Sequence, residues 1–578
     1  MHDLVIRGGT LVDGTGNPPR RADVAITDGL ITEVGAARAG SEDGVIEGEA
    51  RETIDATAML VTPGFVDIHT HFDGQVTWDE LLTPTCWHGV TTVVMGNCGV
   101  GFAPVRPDRH EWLIGLMEGV EDIPGAALSD GIQWSWETYP EFLDAGEARP
   151  MARDIGSLIP HGSVRAYVMG DRGAENEPAT DDDIAAMAAI VREGMEAGAL
   201  GFSTSRTVAH MAIDGRPVPG TYAAEAELFG IGDALAAAGS GVFELAPAGA
   251  LGEDLAAPER EMAWMRTLAA RTGRPVIFAM TQNDHDPTSW QRMLDLCAEA
   301  ADDGANVHPQ VAGRPVNLLL GLETFHPFSY CPSWGPLGFL GVPERLEHMA
   351  DPAFRATMLE EVAHLDPAFM EFLDPERVFA MGAVPNYEPP RSESIAEQAR
   401  RAGITPMERY YDVLMEDGGR QLIMRPLLNY TDFSLDAVRD MLMHPTTVWG
   451  LGDGGAHCGT TCDASTPTFM LSHWTRDRPE GRLSIEYIVA KMTSETATLF
   501  GLTDRGVVAP GMVGDLNIID YDALSLPRPE MVHDLPGDAR RFVQGSTGYV
   551  ATIKCGEVTF RNGVDQGARP GKLLRGVR

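Results

Sequence analysis

His69 and His71 stand two residues apart at the end of an apolar run, TPGFVDIHTH. On a β-strand that spacing sends both imidazoles to one face, where they can reach a single divalent ion. Three further side chains could complete such a site. Cys98, in MGNCGVGFAP, offers a sulfur that a metal would convert to thiolate. Asp453, in VWGLGDGGAH, offers a carboxylate able to touch the metal and take a proton from its bound water. Glu244, in GVFELAPAG, could face the metal or form a buried ion pair. The expected chemistry is metal-assisted hydrolysis, with zinc as the expected ion. Each residue also has a plainer role: satisfied core histidines, a small buried thiol, a turn aspartate. What sets the group apart is that each member ends a candidate strand.

Such scattered residues meet only if a fold gathers their strand ends. Eight short apolar runs alternate with helical stretches: GFVDIHTH, TTVVMGN, VRAYVMG, ALGFSTS, GVFELA, PVIFAM, NVHPQV and TVWGLGD. Eight is the number a (β/α)8 TIM-type barrel needs, and that α/β fold assembles active sites at the carboxyl ends of its strands. Helices are expected after Thr180, where Asp181, Asp182 and Asp183 suit a helix N-terminus, and again after Pro258, from Thr288 to Asp303 and from Ser484 to Phe500. The roughly 130 residues at about 313–445 are too many for an unstructured connection. They read as a helical insertion, either a lid over the barrel mouth or a peripheral addition. The two chain ends carry short strands and Gly turns, so 1–61 and 504–578 are expected to form one small β-sandwich around a 62–503 barrel.

Composition limits the partners. Of the 578 residues 44% are hydrophobic and 22% charged, as in a chain able to bury a large core, and the formal net charge is −40. Such acidity repels phosphate backbones and anionic lipid, so a small-molecule substrate is expected, without nucleic acid or membrane. Homo-oligomerisation stays open. Seven scattered cysteines predict no disulfide framework and suit a reducing, cytoplasmic setting. Neither a leader nor a membrane span is expected.

The motifs TPGFVDIHTHFD, MGNCGVGFAP, HGSVRAYVMG, GFSTS, GDGGAH, KMTSETATLFGLTDRGVVAPGMVGDLNIID and GARPGKLLR resemble the amidohydrolase superfamily, and within it the N-acyl-D-amino-acid deacylase (D-aminoacylase) group. The resemblance runs nearly end to end. It implies a zinc hydrolase with a barrel and a composite β-sandwich, in which His69, His71, Cys98 and Asp453 match metal-site positions and Asp453 matches the general base.

The sequence also departs from that group. The His-Met-Arg and Ser-His-His-Lys motifs that the group carries after its fifth and sixth strands are replaced by GVFELAPAG and PVIFAMTQNDHD. Glu244 is the nearest replacement, with Gln282 and His285 behind it. All three lysines, Lys491, Lys554 and Lys572, follow Asp453, so no carbamylated lysine can bridge two metals from within the barrel, and a single ion is expected. The group's carboxylate-clamping arginine beyond the eighth strand is missing from HCGTTCDASTPTF; Arg314 is the candidate cation in its place, His308 stands where the group carries Tyr, and His457 is a candidate substrate contact. The expected reaction is cleavage of an amide-type C–N bond. A cyclic-amide hydrolase, a deaminase and a non-catalytic scaffold are the alternatives.

Overall fold

Short β-branched runs alternating with capped helices produce parallel strands, seen here in a computed structural model that describes residues 1–35 and 46–576. Phe65–Asp67, Val90–Met95 and Asp154–Ser157 pair in parallel. After Leu158 the chain resumes as Ile159–Pro160, which begins a second parallel set with Gly201–Ser205, Val242–Ala246, Val276–Ala279, Val307–Val311 and Val448–Trp449. A parallel bridge between Thr70 and Gly454 ties the segment after the first of these strands to the segment after the last. The strands are buried almost throughout, as strands covered on both faces must be.

Seven of the eight expected strands lie in these sets. The exception is VRAYVMG, which belongs to a helix, His161–Met169. Pro160 ends the preceding strand, and helical spacing then buries Val164 and Arg165, whose Nε donates to Glu227 Oε1 at 2.9 Å. The third strand lies upstream, at Asp154. Its polar start hid it, because Asp154 is buried against Lys554 Nζ at 2.8 Å and Arg505 Nη1 at 2.6 Å. The expected helices form, the last of them as two, Ile485–Met492 and Ser494–Leu499, broken at Thr493. Asp181–Ala197 starts at a reciprocal cap between Thr180 and Asp183 and stops at Gly198, whose φ of 112° favours glycine.

Both chain ends enter one nine-stranded sheet, in which Leu60–Pro63 pairs with Leu516–Ile519. Asp154, Lys554, Arg505 and Asp515 form the buried ionic junction between this sheet and the parallel strands. The insertion has its own core around Phe328, Trp334, Met358, Tyr410 and Tyr411. It is not purely helical: Val316–Leu320, Phe379–Ala380 and Ile423–Leu428 form an antiparallel sheet beside helices such as Pro352–Val362 and Pro406–Met415. Leu319 N–H donates to the Thr460 carbonyl at 2.8 Å, bonding the insertion to the loop after the eighth strand. No described helix is long and apolar enough to cross a membrane, and all seven cysteines are free.

Glu388 anchors the insertion from the other side. It accepts from Arg478 Nε at 3.0 Å and Nη2 at 2.9 Å and lies 2.8 Å from His473 Nε2. Although burial opposes ionisation, these hydrogen bonds hold its carboxyl at about 2. A depressed carboxyl stabilises the fold above its unfolded pKa and loses that contribution as pH falls through the folded value. Glu388→Gln is therefore expected to lower the unfolding free energy at pH 7 by about 2 kcal/mol, with the difference from wild type fading between roughly pH 4.5 and pH 2, as read from urea titrations.

Candidate active site

The parallel register delivers the site residues to one end of the strands. His69 and His71 follow the first strand and Cys98 the second, while Glu244 and Gln310 lie within the fifth and seventh and Asp453 follows the eighth. Two backbone hydrogen bonds set the first loop against the last: Asp453 N–H donates to the His69 carbonyl at 3.0 Å, and His71 N–H donates to the Gly454 carbonyl at 2.8 Å. The turns are unusual. Cys98, Asp453 and His457 have φ of 56°, 45° and 51°, left-handed values that non-glycine residues rarely adopt. Gly99 is required beside Cys98, since a Cβ there would lie 2.8 Å from the Ser205 nitrogen.

Four of these side chains lie close together. His69 Nε2 lies 3.4 Å from Cys98 Sγ and 3.4 Å from Asp453 Oδ1, and His71 Nε2 lies 3.8 Å from the same carboxylate oxygen. One ligand atom each from His69, His71 and Cys98 falls within 4.8 Å of the others, and all three residues are buried. Two imidazoles, a thiol and a carboxylate form a donor set suited to zinc.

The electrostatics favour a cation at this place. Burial drives the His69 imidazole down to about 3 and His71 well below its usual value, with neighbouring histidines adding to the effect. Burial likewise pushes the Asp453 carboxyl and the Cys98 thiol well above their usual ranges, and nearby carboxylates raise both further. A divalent ion opposes the upward shifts of Asp453 and Cys98, because it stabilises carboxylate and thiolate, and it suits the downward shifts of the histidines, because it binds neutral imidazole. Glu244 Oε1 is buried without a hydrogen-bond partner, as are His71 Nδ1 and Glu121 Oε1.

Other candidates fall elsewhere. Glu244 accepts from Cys98 N–H at 2.9 Å and lies 3.8 Å from His69 Nδ1, the ring nitrogen on the opposite side from Cys98 and Asp453. Burial raises its carboxyl to about 8. Gln282 donates to Asp432 at 3.0 Å and belongs to the insertion contact, while the backbone of His285 turns on Asn283. His308 lies two residues before Gln310, and its Nδ1 is 2.9 Å from the Thr446 carbonyl, so the structure does not bring it to the histidine pair. Arg314 is buried; its Nη2 donates to Asp463 Oδ1 at 3.0 Å and to the Cys462 carbonyl, and its guanidinium lies 4.3 Å from the centre of the Tyr387 ring. It braces the loop after Asp453. His457, with a third of its side chain exposed, borders the site.

Sequence reasoning missed two neighbours. Gln310 Oε1 lies 2.9 Å from His69 Nδ1. Glu121 Oε1 lies 3.3 Å from His71 Nδ1. The signal for Glu121 was present: Leu113, Leu116, Met117, Val120 and Glu121 share the buried face of the helix His110–Glu121, so an acid occupies a core position.

With this geometry in place, the likeness to known proteins is specific. The amidohydrolase family model matches residues 52–560, and the chain belongs to that family. It is a hydrolase of carbon–nitrogen bonds other than peptide bonds, and its relatives place it in the D-aminoacylase-like group. It is 26% identical to the D-aminoacylase of Alcaligenes xylosoxydans xylosoxydans, over 90% of this chain and 88% of that one. It is 28% identical to an uncharacterized Mycobacterium tuberculosis protein, over 99% and 96%. The fold matches a D-aminoacylase structure described with a binuclear metal centre, at TM-score 0.65 and 23% identity over the whole of both chains. It also matches the N-acyl-D-glutamate deacylase of Bordetella bronchiseptica, solved with zinc and a phosphonate inhibitor, at TM-score 0.64 and 23% identity over 99% of each.

If Cys98 is a ligand, the cobalt-substituted chain is expected to show a thiolate-to-metal charge-transfer absorption. Cys98→Ser should abolish that band while the secondary structure, followed by circular dichroism, is unchanged.

Proposed function

We propose that the chain hydrolyses the amide bond of a small N-acyl amino-acid-type compound, with one zinc ion held by His69, His71, Cys98 and Asp453. The observation that carries this reading is that His69 Nε2 lies 3.4 Å from Cys98 Sγ and 3.4 Å from Asp453 Oδ1 at the carboxyl ends of the strands. The deacylase relatives support the substrate class. A bound divalent ion supplies Lewis acidity, polarising a carbonyl and lowering the pKa of water.

The protein's own groups do the rest. Asp453 accepts a proton from the attacking water and returns it to the leaving nitrogen. Glu244 holds Cys98 in place through the thiol residue's own N–H, and Gln310 fixes the His69 ring. We assign Glu244 to this supporting place, on the side of His69 away from the ion. His457 borders the opening and is the residue assigned to the substrate carbonyl. Arg314 and His308 have their structural partners and are not assigned to substrate.

We also read the parallel strands as a closed (β/α)8 barrel spanning 62–503. Residues 1–61 and 504–578 then form the end domain, and about 313–445 is an insertion. Eight strand positions and the Thr70–Gly454 bridge support that reading.

Purified protein is expected to contain about one zinc per chain by elemental analysis and to release free amino acid from one arm of a panel of N-acyl-D-amino acids, N-acyl-L-amino acids and cyclic amides. Asp453→Asn should lower kcat by about 10²–10⁴-fold. Unchanged zinc content and turnover in the double variant His69→Ala with His71→Ala would sink the proposal.

A further inference from the structure

The two candidate imidazole ligands are backed by different chemistry. His69 Nδ1 lies at hydrogen-bond distance, 2.9 Å, from the neutral amide oxygen of Gln310, whereas His71 Nδ1 and Glu121 Oε1, each buried without a hydrogen-bond partner, lie 3.3 Å apart. Glu121 is 2% exposed, and among the described residues its only ion-pair partners are histidines, His71 and His457. A carboxylate buried without a lysine or arginine is costly. The cost is offset where the carboxylate receives a hydrogen bond from an imidazole N–H that a metal on the opposite nitrogen has polarised, the carboxylate–histidine–zinc arrangement.

Glu121 reaches the other wall of the site as well. Its carbonyl accepts the His457 backbone N–H, and its Oε2 lies 3.8 Å from His457 Nε2. The next residue, Asp122, takes a left-handed turn with φ of 51° and accepts from Gly459 N–H at 3.2 Å and Thr460 Oγ1 at 2.8 Å. The end of one helix thus grips both the first-strand histidine and the loop that follows Asp453.

We infer that Glu121 is the positioning residue of this site. With an ion on His71 Nε2, its carboxylate would accept from His71 Nδ1, orient the Nε2 lone pair toward Asp453 and strengthen that imidazole as a donor in a way that Gln310 cannot do for His69. It also registers His457 against the pair. The inference rests on the metal-site reading above.

The test is zinc affinity, measured by competition with a chromophoric chelator, for wild type, Glu121→Gln and Glu121→Ala, with far-UV circular dichroism of each metal-free chain. Glu121→Ala should weaken zinc binding about 10- to 100-fold, and Glu121→Gln at least about threefold. In the cobalt-substituted chain the d–d absorption should shift in the Gln variant, which a merely structural role would not cause. Should the Ala variant fail to fold, the Gln variant decides. Affinities within twofold of wild type, with an unshifted cobalt spectrum, overturn the inference and leave the metal site standing. A wild-type chain that takes up no zinc overturns both.

Discussion

Two backbone hydrogen bonds carry much of the architecture of this site: Asp453 N–H to the His69 carbonyl and His71 N–H to the Gly454 carbonyl. They join loops from the first and last parallel strands. The left-handed turn at Asp453 and the glycines around it exist so that these loops can approach. Side-chain convergence follows from that approach, since Asp453 Oδ1 then lies within 3.4 Å of His69 Nε2 and 3.8 Å of His71 Nε2. Gly455 illustrates the tolerance: a Cβ there would sit 2.8 Å from the His71 carbonyl oxygen.

The second constraint is charge. Asp453, Glu121, Glu244 and Asp67 are crowded into the same interior, and burial raises each of their carboxyls. Elsewhere the fold compensates buried acids with cations, as Asp154 is compensated by Lys554 and Arg505 and Glu227 by Arg165. Around the histidine pair no lysine or arginine bonds these acids among the described residues. A site built from acids and neutral imidazoles gains stability from a divalent ion, so the electrostatics and the donor geometry point the same way.

The surrounding elements serve the loops. Arg314, buried against Tyr387, holds Cys462 and Asp463 behind the Asp453 turn, and the insertion bonds the same loop through Leu319 and Thr460. Asp122 bonds Gly459 and Thr460 in that loop too. The loop that carries Asp453 and His457 is thus braced by a helix end, an arginine and an inserted subdomain.

The sequence by itself determined the local features: the His-x-His pair on one strand face, the glycine-flanked Cys98 and Asp453, the capped helix after Thr180 and seven of eight parallel strands. Each depends on residues close together in the chain. It placed Arg314 and His308 among substrate contacts and VRAYVMG in a strand, because residue type and apolar character do not reveal which partner a side chain meets. Only the tertiary structure decided that Arg314 braces a loop, that His308 bonds Thr446, that Glu244 stands behind Cys98, and that Glu121 and Gln310 back the two histidines. Those outcomes depend on contacts between segments up to hundreds of residues apart, whose geometry comes from strand register and loop packing rather than from local pattern.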